Sequence, residues 1–142
     1  MIVQQVWHNS KEYWELVALR SQILRKPLGI EFSKDELELE HSQWHFGIFI
    51  EGIAVACMVL VPQEDGKIKM RQVCTTFNVQ GKGIGKVLLE HCENKAKQKG
   101  YNEIFCHARE VSKQFYLKND YEIIGDSFIE IGLEHYYMRK RM

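Results

Sequence analysis

Apolar positions change their period several times along the chain, and each change marks an element. Ile2 to Trp7 reads as a first strand. After it, Tyr13, Leu16, Val17, Leu19, Ile23 and Leu24 make one stripe of a helix that Asn9 or Ser10 can cap and that Pro27 and Gly29 end. Ser33 with Glu36 three residues on is a capping box, which predicts a short acidic helix to about His41. Strands are expected over 45–50 and 53–61, turned by Glu51 and Gly52, and a further strand over 68–76 follows the turn at 64–67. Ile84, Val87, Leu88, His91 and Cys92 then return at helical spacing, with Gly100 as the stop, which makes His91 a buried core histidine. A strand over 103–108, a short helix over 112–119 and strands over 121–124 and 135–140 close the chain, with 127–132 extended. The order βααβββαβαββ gives three consecutive strands for antiparallel hairpins and then βαβ crossovers. An α/β fold is expected, a mixed central sheet with helices on both faces.

One stretch breaks the helical rule. Gly81, Gly83 and Gly85 fall within five residues, where each glycine would cost a helix interior roughly 0.5 to 1 kcal/mol relative to alanine. Here they open a helix instead. A strand running through a glycine loop into a helix aims free backbone N–H groups and a positive dipole end at one spot, and Lys82 and Lys86 add charge. The guest is a phosphate-bearing ligand. The spacing does not fit a P-loop, because three residues, not four, separate Gly81 from Gly85 and Val87 follows Lys86. It gives GxGxG rather than the dinucleotide GxGxxG, and it lies past mid-chain rather than in a first βα unit.

What does fit is Q/R-x-x-G-x-G/A, carried by Gln80, Gly83 and Gly85. This resembles the pyrophosphate-binding signature of the GNAT superfamily of acyl-CoA-dependent N-acetyltransferases, and the element order over nearly the whole chain matches that fold. The resemblance implies that Val73, Cys74 and Thr75 offer backbone groups to the pantetheine arm of acetyl-CoA. Gln80, Gly81, Lys82, Gly83, Ile84 and Gly85 would hold the pyrophosphate, with Lys86 opening the helix. The family's Phe-Tyr pair appears as Phe115 and Tyr116, with Asp120 where glycine is usual, so Asp120 is expected in the left-handed conformation. Leu19 with Arg20, and Gly132 with His135, are similar to an ElaA-like branch, although Leu133 and Glu134 replace Ile-Pro.

Composition narrows the setting. At 142 residues the chain is expected to form one domain, 1–142. Nineteen basic and nineteen acidic side chains cancel, so no global field recruits nucleic acid or an anionic membrane, and the terminal Arg139, Lys140 and Arg141 are read as solvated. No apolar run is long enough to span a bilayer and no signal peptide is recognised, so a cytoplasmic protein is expected. Cys57, Cys74, Cys92 and Cys106 form no CxxC pair and are read as reduced core residues. No His and carboxylate spacing suggests a metal, and none is expected. The resemblance adds a homodimer, the family's common state.

Acyl transfer to an amine requires a route for the amine's proton, a donor for the developing oxyanion and a proton for the departing thiolate. By resemblance Tyr116 would supply that last proton, though it can equally pack with Phe115. The glutamate that serves some relatives as base is replaced by Lys69. His107, at a strand end beside the cleft, is the remaining candidate base, or else a hydrogen-bonded strand-end histidine. His41, His45 and His135 carry no distinguishing signal, and Trp44, Phe46 and Tyr13 are read as core. Glu31, Asp35, Glu36, Glu38 and Glu40 lie in the segment expected to overhang the cleft, as an acidic rim for a cationic amine or as a solvated helix face. The expected activity is transfer of acetyl from acetyl-CoA to a primary amine of a small molecule or peptide by direct attack. The alternatives are an inactive acyl-CoA-binding sensor module and a protein using the loop for ATP or a dinucleotide.

Overall fold

Two hydrophobic layers on opposite faces of one twisted sheet organise the computed structural model, which describes residues 2–142. The strands are β1 (Val3–Val6), β2 (Trp44–Ile50), β3 (Ile53–Pro62), β4 (Lys67–Thr75), β5 (Glu103–Arg109), β6 (Glu122–Ile123), β7 (Phe128–Glu130) and β8 (Leu133–Arg141). They run in the order β1-β2-β3-β4-β5-β8-β6, with β7 also pairing β8. Among the described residues only β4 and β5 pair in parallel. The helices are α1 (Lys11–Arg20), α2 (Lys34–Leu39), α3 (Ile84–Gln98) and α4 (Lys113–Lys118).

The alternation of β3 shows how the sequence builds both layers. Ala56, Met58 and Leu60 face α3, which covers them with Ile84, Leu88, Leu89, Cys92 and Ala96. Cys57, Val59 and Val61 face α1, which covers them with Tyr13, Leu16 and Val17. Gly47 on β2 permits that approach, since a Cβ there would stand 2.7 Å from a Leu16 methyl. All four cysteines are buried and free. Among the described residues no helix is long and apolar enough to cross a membrane.

Several boundaries differ from expectation for identifiable reasons. α1 ends at Arg20 and continues as a π-helical turn over Ser21–Arg25 and a 3₁₀ turn over Lys26–Leu28, closed by Gly29 at φ 68°. The extended 127–132 segment is a hairpin arm, because Ile131 and Gly132 both take positive φ and turn β7 onto β8. His91 is exposed, not a core histidine: the buried stripe of α3 runs at fourfold spacing through Ile84, Leu88, Cys92 and Ala96, leaving Val87 and His91 on its flank. Asp120 adopts φ 71°, and Tyr121 N–H reaches back to Tyr116 O at 3.0 Å.

Glu40 departs furthest from its sequence reading. Only 2 % exposed, it is no part of an acidic rim. Its carboxylate accepts two hydrogen bonds from Arg20, at 3.0 and 2.6 Å, and one from the Tyr13 hydroxyl at 2.7 Å, while its carbonyl lies 2.9 Å from His45 Nε2. Burial alone would raise the carboxyl, but Arg20 more than offsets it and holds Glu40 below the usual carboxylate range. This network ties α1 to the segment after α2.

Candidate functional site

The sheet opens where its parallel ladder stops. β4 and β5 pair from Lys67↔Glu103 to Met70↔Cys106, and beyond that point they diverge. The cause lies in β4. Its register with β3 slips between Cys57↔Cys74 and Val59↔Arg71, so two residues, Gln72 and Val73, stand opposite Met58 alone. Gln72 takes φ 56°, and the resulting bulge bends β4 away from its neighbour. The split holds a cleft of about 180 Å³ whose lining includes Lys69, Arg71, Val73, His107, Arg109 and Tyr116.

Thr76 N–H donates to Val55 O at 2.9 Å on β3. Peptide groups alternate sides along a strand, so Cys74 also turns toward β3 while Thr75 turns toward the split. The Cys74 thiol is buried in the layer under α1, and burial pushes it well up. Of the three residues expected to present backbone groups, Val73 lines the cleft and Thr75 turns its peptide toward the split.

The glycine loop follows at once. Gln80 Nε2 donates to Thr75 O at 3.3 Å and clips the loop to the strand end, while the Gln80 and Lys82 amides are turned inward onto Phe77 O and Val79 O. Gly81 and Gly83 take φ 80° and 78°, so a side chain would be strained at either. The amides of Gly83, Ile84, Gly85 and Lys86 have no protein acceptor among the described residues, and α3 carries no side-chain cap. Four open donors lie at the positive end of a fifteen-residue helix, a geometry that favours an anion. Gly85 sits against the Phe115 ring, where a Cβ would lie at 3.4 Å, which joins the loop to α4.

Tyr116, one residue on, is 4 % exposed and lines the cleft beside Cys106. Burial, then the Cys106 thiol, holds its phenol well above the usual value, so it stays protonated. His107 projects from β5 and places Nδ1 3.0 Å from Glu130 Oε2 on β7. Burial lowers its pKa and Glu130 only partly restores it, leaving a neutral imidazole at pH 7. With Nδ1–H donated to the carboxylate, the Nε2 lone pair is free. His135, 3 % exposed, stands 4.0 Å from the other Glu130 oxygen. Lys69 is held below the usual lysine value by burial and then by Arg71. Glu130 escaped the sequence reading because three extended residues carry no chemical signature. Of the acidic segment, Glu36 pairs with Arg25 at 2.7 Å, and Glu38 lines a separate depression with Trp14 and Phe32.

These groups give acidification a definite sign. His45 is lowered by burial like His107, and Glu130, which its own burial would raise, is held lower by His107, Lys69 and His135 together. Each group binds its proton more readily unfolded than folded, so the unfolded state gains protons as pH falls. Stability is expected to drop first below about 6.5 as the histidines titrate, then further below about 4.5 as Glu40 and Glu130 do. Urea unfolding between pH 7.5 and 4 measures this; a midpoint unchanged down to pH 5 would contradict the neutral buried histidines.

A family model described as an acetyltransferase (GNAT) domain matches residues 31–142. An uncharacterised N-acetyltransferase of Bacillus subtilis, YitI, is 26% identical over 131 residues, which is 87% of this chain and 88% of that protein. In fold, the chain is similar to the crystal structure of Escherichia coli ElaA, with a TM-score of 0.81, 16% identity and 98% of each chain covered. It is also similar to an aminoglycoside 6'-N-acetyltransferase solved with coenzyme A, with a TM-score of 0.80, 15% identity and 99% and 97% covered.

Proposed function

The chain belongs to the GNAT acetyltransferase family, and from that premise we propose that it transfers an acetyl group from acetyl-CoA to a primary amine by direct attack. The observation that carries this reading is the continuity of two features. The open amides of α3 and the β4–β5 split are joined by the Gln80 clip, so one extended ligand can lie with its pyrophosphate on the loop and its thioester in the cleft. Coenzyme A in the similar aminoglycoside acetyltransferase supports the same cofactor class. The four buried free cysteines suit a reducing compartment, consistent with action in the cytoplasm as one domain.

In the proposed reaction the amine lone pair attacks the thioester carbonyl carbon, and the amine proton passes to His107 Nε2, directly or through one water. A backbone N–H at the β4 bulge stabilises the oxyanion. The C–S bond then breaks, and the departing thiolate takes the Tyr116 proton, which returns from solvent. Glu130 holds His107 in the required tautomer and favours the imidazolium that forms.

Thermal-shift titration with acetyl-CoA, CoA, ATP and NAD tests the cofactor. Ligand at about 100 times Kd stabilises by about 2.7 kcal/mol, which moves the midpoint several degrees for a domain of this size. Stabilisation by acetyl-CoA and CoA alone is expected, followed by amine-dependent thiol release. Stabilisation by ATP or NAD alone would defeat the reading. Coenzyme binding without thiol release from any amine would leave an acyl-CoA-binding module.

A further inference from the structure

Resting on that transfer reading, we propose that the acceptor is an amine that also carries a carboxylate, and that Arg71 and Arg109 on the two sides of the split hold it.

The register places both guanidiniums on one face. Arg71 pairs with Val59, which faces α1, and Arg109 lies two residues beyond His107 on β5, so both project on the side opposite α3. Both line the cleft, and both are only partly exposed. The charge there is unbalanced. Arg25, which overhangs the same cleft, is already neutralised by Glu36. Lys69, Arg71 and Arg109 form no ion pair among the described residues; Arg109 donates only to the Leu24 carbonyl, at 3.4 Å. The carboxylate lining the cleft, Glu130, is committed to His107.

Three half-buried cations with one engaged carboxylate make a poor berth for a polyamine, whose second ammonium would meet repulsion as it lost water. They suit a ligand that brings its own negative group. A guanidinium presents a planar fork that matches a carboxylate in two parallel hydrogen bonds, and a charge-assisted pair in a recessed site is worth more than one on the surface. Burial already lowers Arg109, which shows the cost of holding that charge without a counter-ion. The reacting amine of such an acceptor, a few bonds from its carboxylate, would then lie within the same cleft as His107. Arginines rather than the expected acidic rim thus select the acceptor, since Glu36 and Glu40 are consumed by Arg25 and Arg20.

Isothermal titration of the CoA-saturated protein with α- and ω-amino acids, each against its own carboxamide, isolates the carboxylate. At least one acid should bind about tenfold or more tighter than its amide. Arg71→Gln and Arg109→Gln should erase that preference while thermal midpoint and CoA affinity stay in place. If no acid in the panel outbinds its amide, or if the two substitutions weaken CoA instead, the proposal is overturned. Thiol release, measured separately, keeps the two ideas apart. An acid that binds with preference but releases no thiol removes the transfer reading and leaves the carboxylate site standing, whereas acetylation of amides as readily as acids does the reverse.

Discussion

Replacing Glu40 with alanine is expected to destabilise the protein by about 3–5 kcal/mol, the largest stability effect of any single substitution at an ion pair in this fold. The reason is what remains behind. Arg20 is 0 % exposed, and both of its terminal nitrogens depend on the Glu40 carboxylate, while its Nε already lacks a partner among the described residues. Without Glu40 a full charge would sit in the interior with only the Phe32 ring, 4.7 Å away, to face, and the buried Tyr13 hydroxyl would lose its 2.7 Å acceptor. The double substitution Arg20→Met with Glu40→Leu removes both charges and fills much of the volume, so it should cost far less than the single change. Urea unfolding of the three proteins decides the matter. A cost below about 1 kcal/mol for Glu40→Ala would mean that water reaches the pair and the network is not the anchor described.

The second large effect is expected in turnover. His107→Ala should lower kcat/KM by about 10²-fold or more, within the span usual for loss of a general base, with CoA affinity unchanged. Tyr116→Phe should lower kcat by a similar factor, because the departing thiolate loses its proton source while the ring still fills its place against Phe115 and Tyr121. The two differ in pH response. Since burial depresses His107, the rising limb of kcat/KM should lie below 6.5 in the parent protein. It should vanish in His107→Ala and persist in Tyr116→Phe. Full turnover by His107→Ala would move the proton transfer to another group.

What could be read from the residues was local. Glu51 with Gly52 announced a hairpin, three glycines after a strand announced a loop that opens a helix with unpaired amides, and the αL demand after α4 fell on an aspartate that tolerates it. What escaped was set by distance. Glu40 sits in a run of acidic residues that looks like a solvated face, and only a partner twenty residues away makes it a core residue. Glu130 reaches His107 across twenty-three positions from a strand of three residues. The bulge at Gln72 puts a residue with no turn preference at positive φ, so the residues themselves carry no mark of the split, and only the resemblance pointed to the neighbouring Val73 to Thr75. His91 was misplaced by a smaller cause: the buried stripe of α3 centres on Leu88, Leu89 and Cys92 with Ile84 at its edge, so a residue seven on from Ile84 falls on the flank.

The bulge has a further consequence, one of measurement rather than attraction. A hydrogen bond that replaces water contributes only about 0.5–1.5 kcal/mol net, so under the proposed function strand-like pairing of a cofactor arm beside Thr75 would add little grip compared with phosphate on the loop. What the pairing can fix is length. The open amides of α3 set one end, and the peptide repeat of β4, near 3.3 Å per residue, graduates the distance to the split. The bulge then marks where the graduation ends. In a coenzyme held this way the reacting carbon stands at a depth set by the backbone alone, and side chains on the far face are free to vary with the amine while the gauge stays the same.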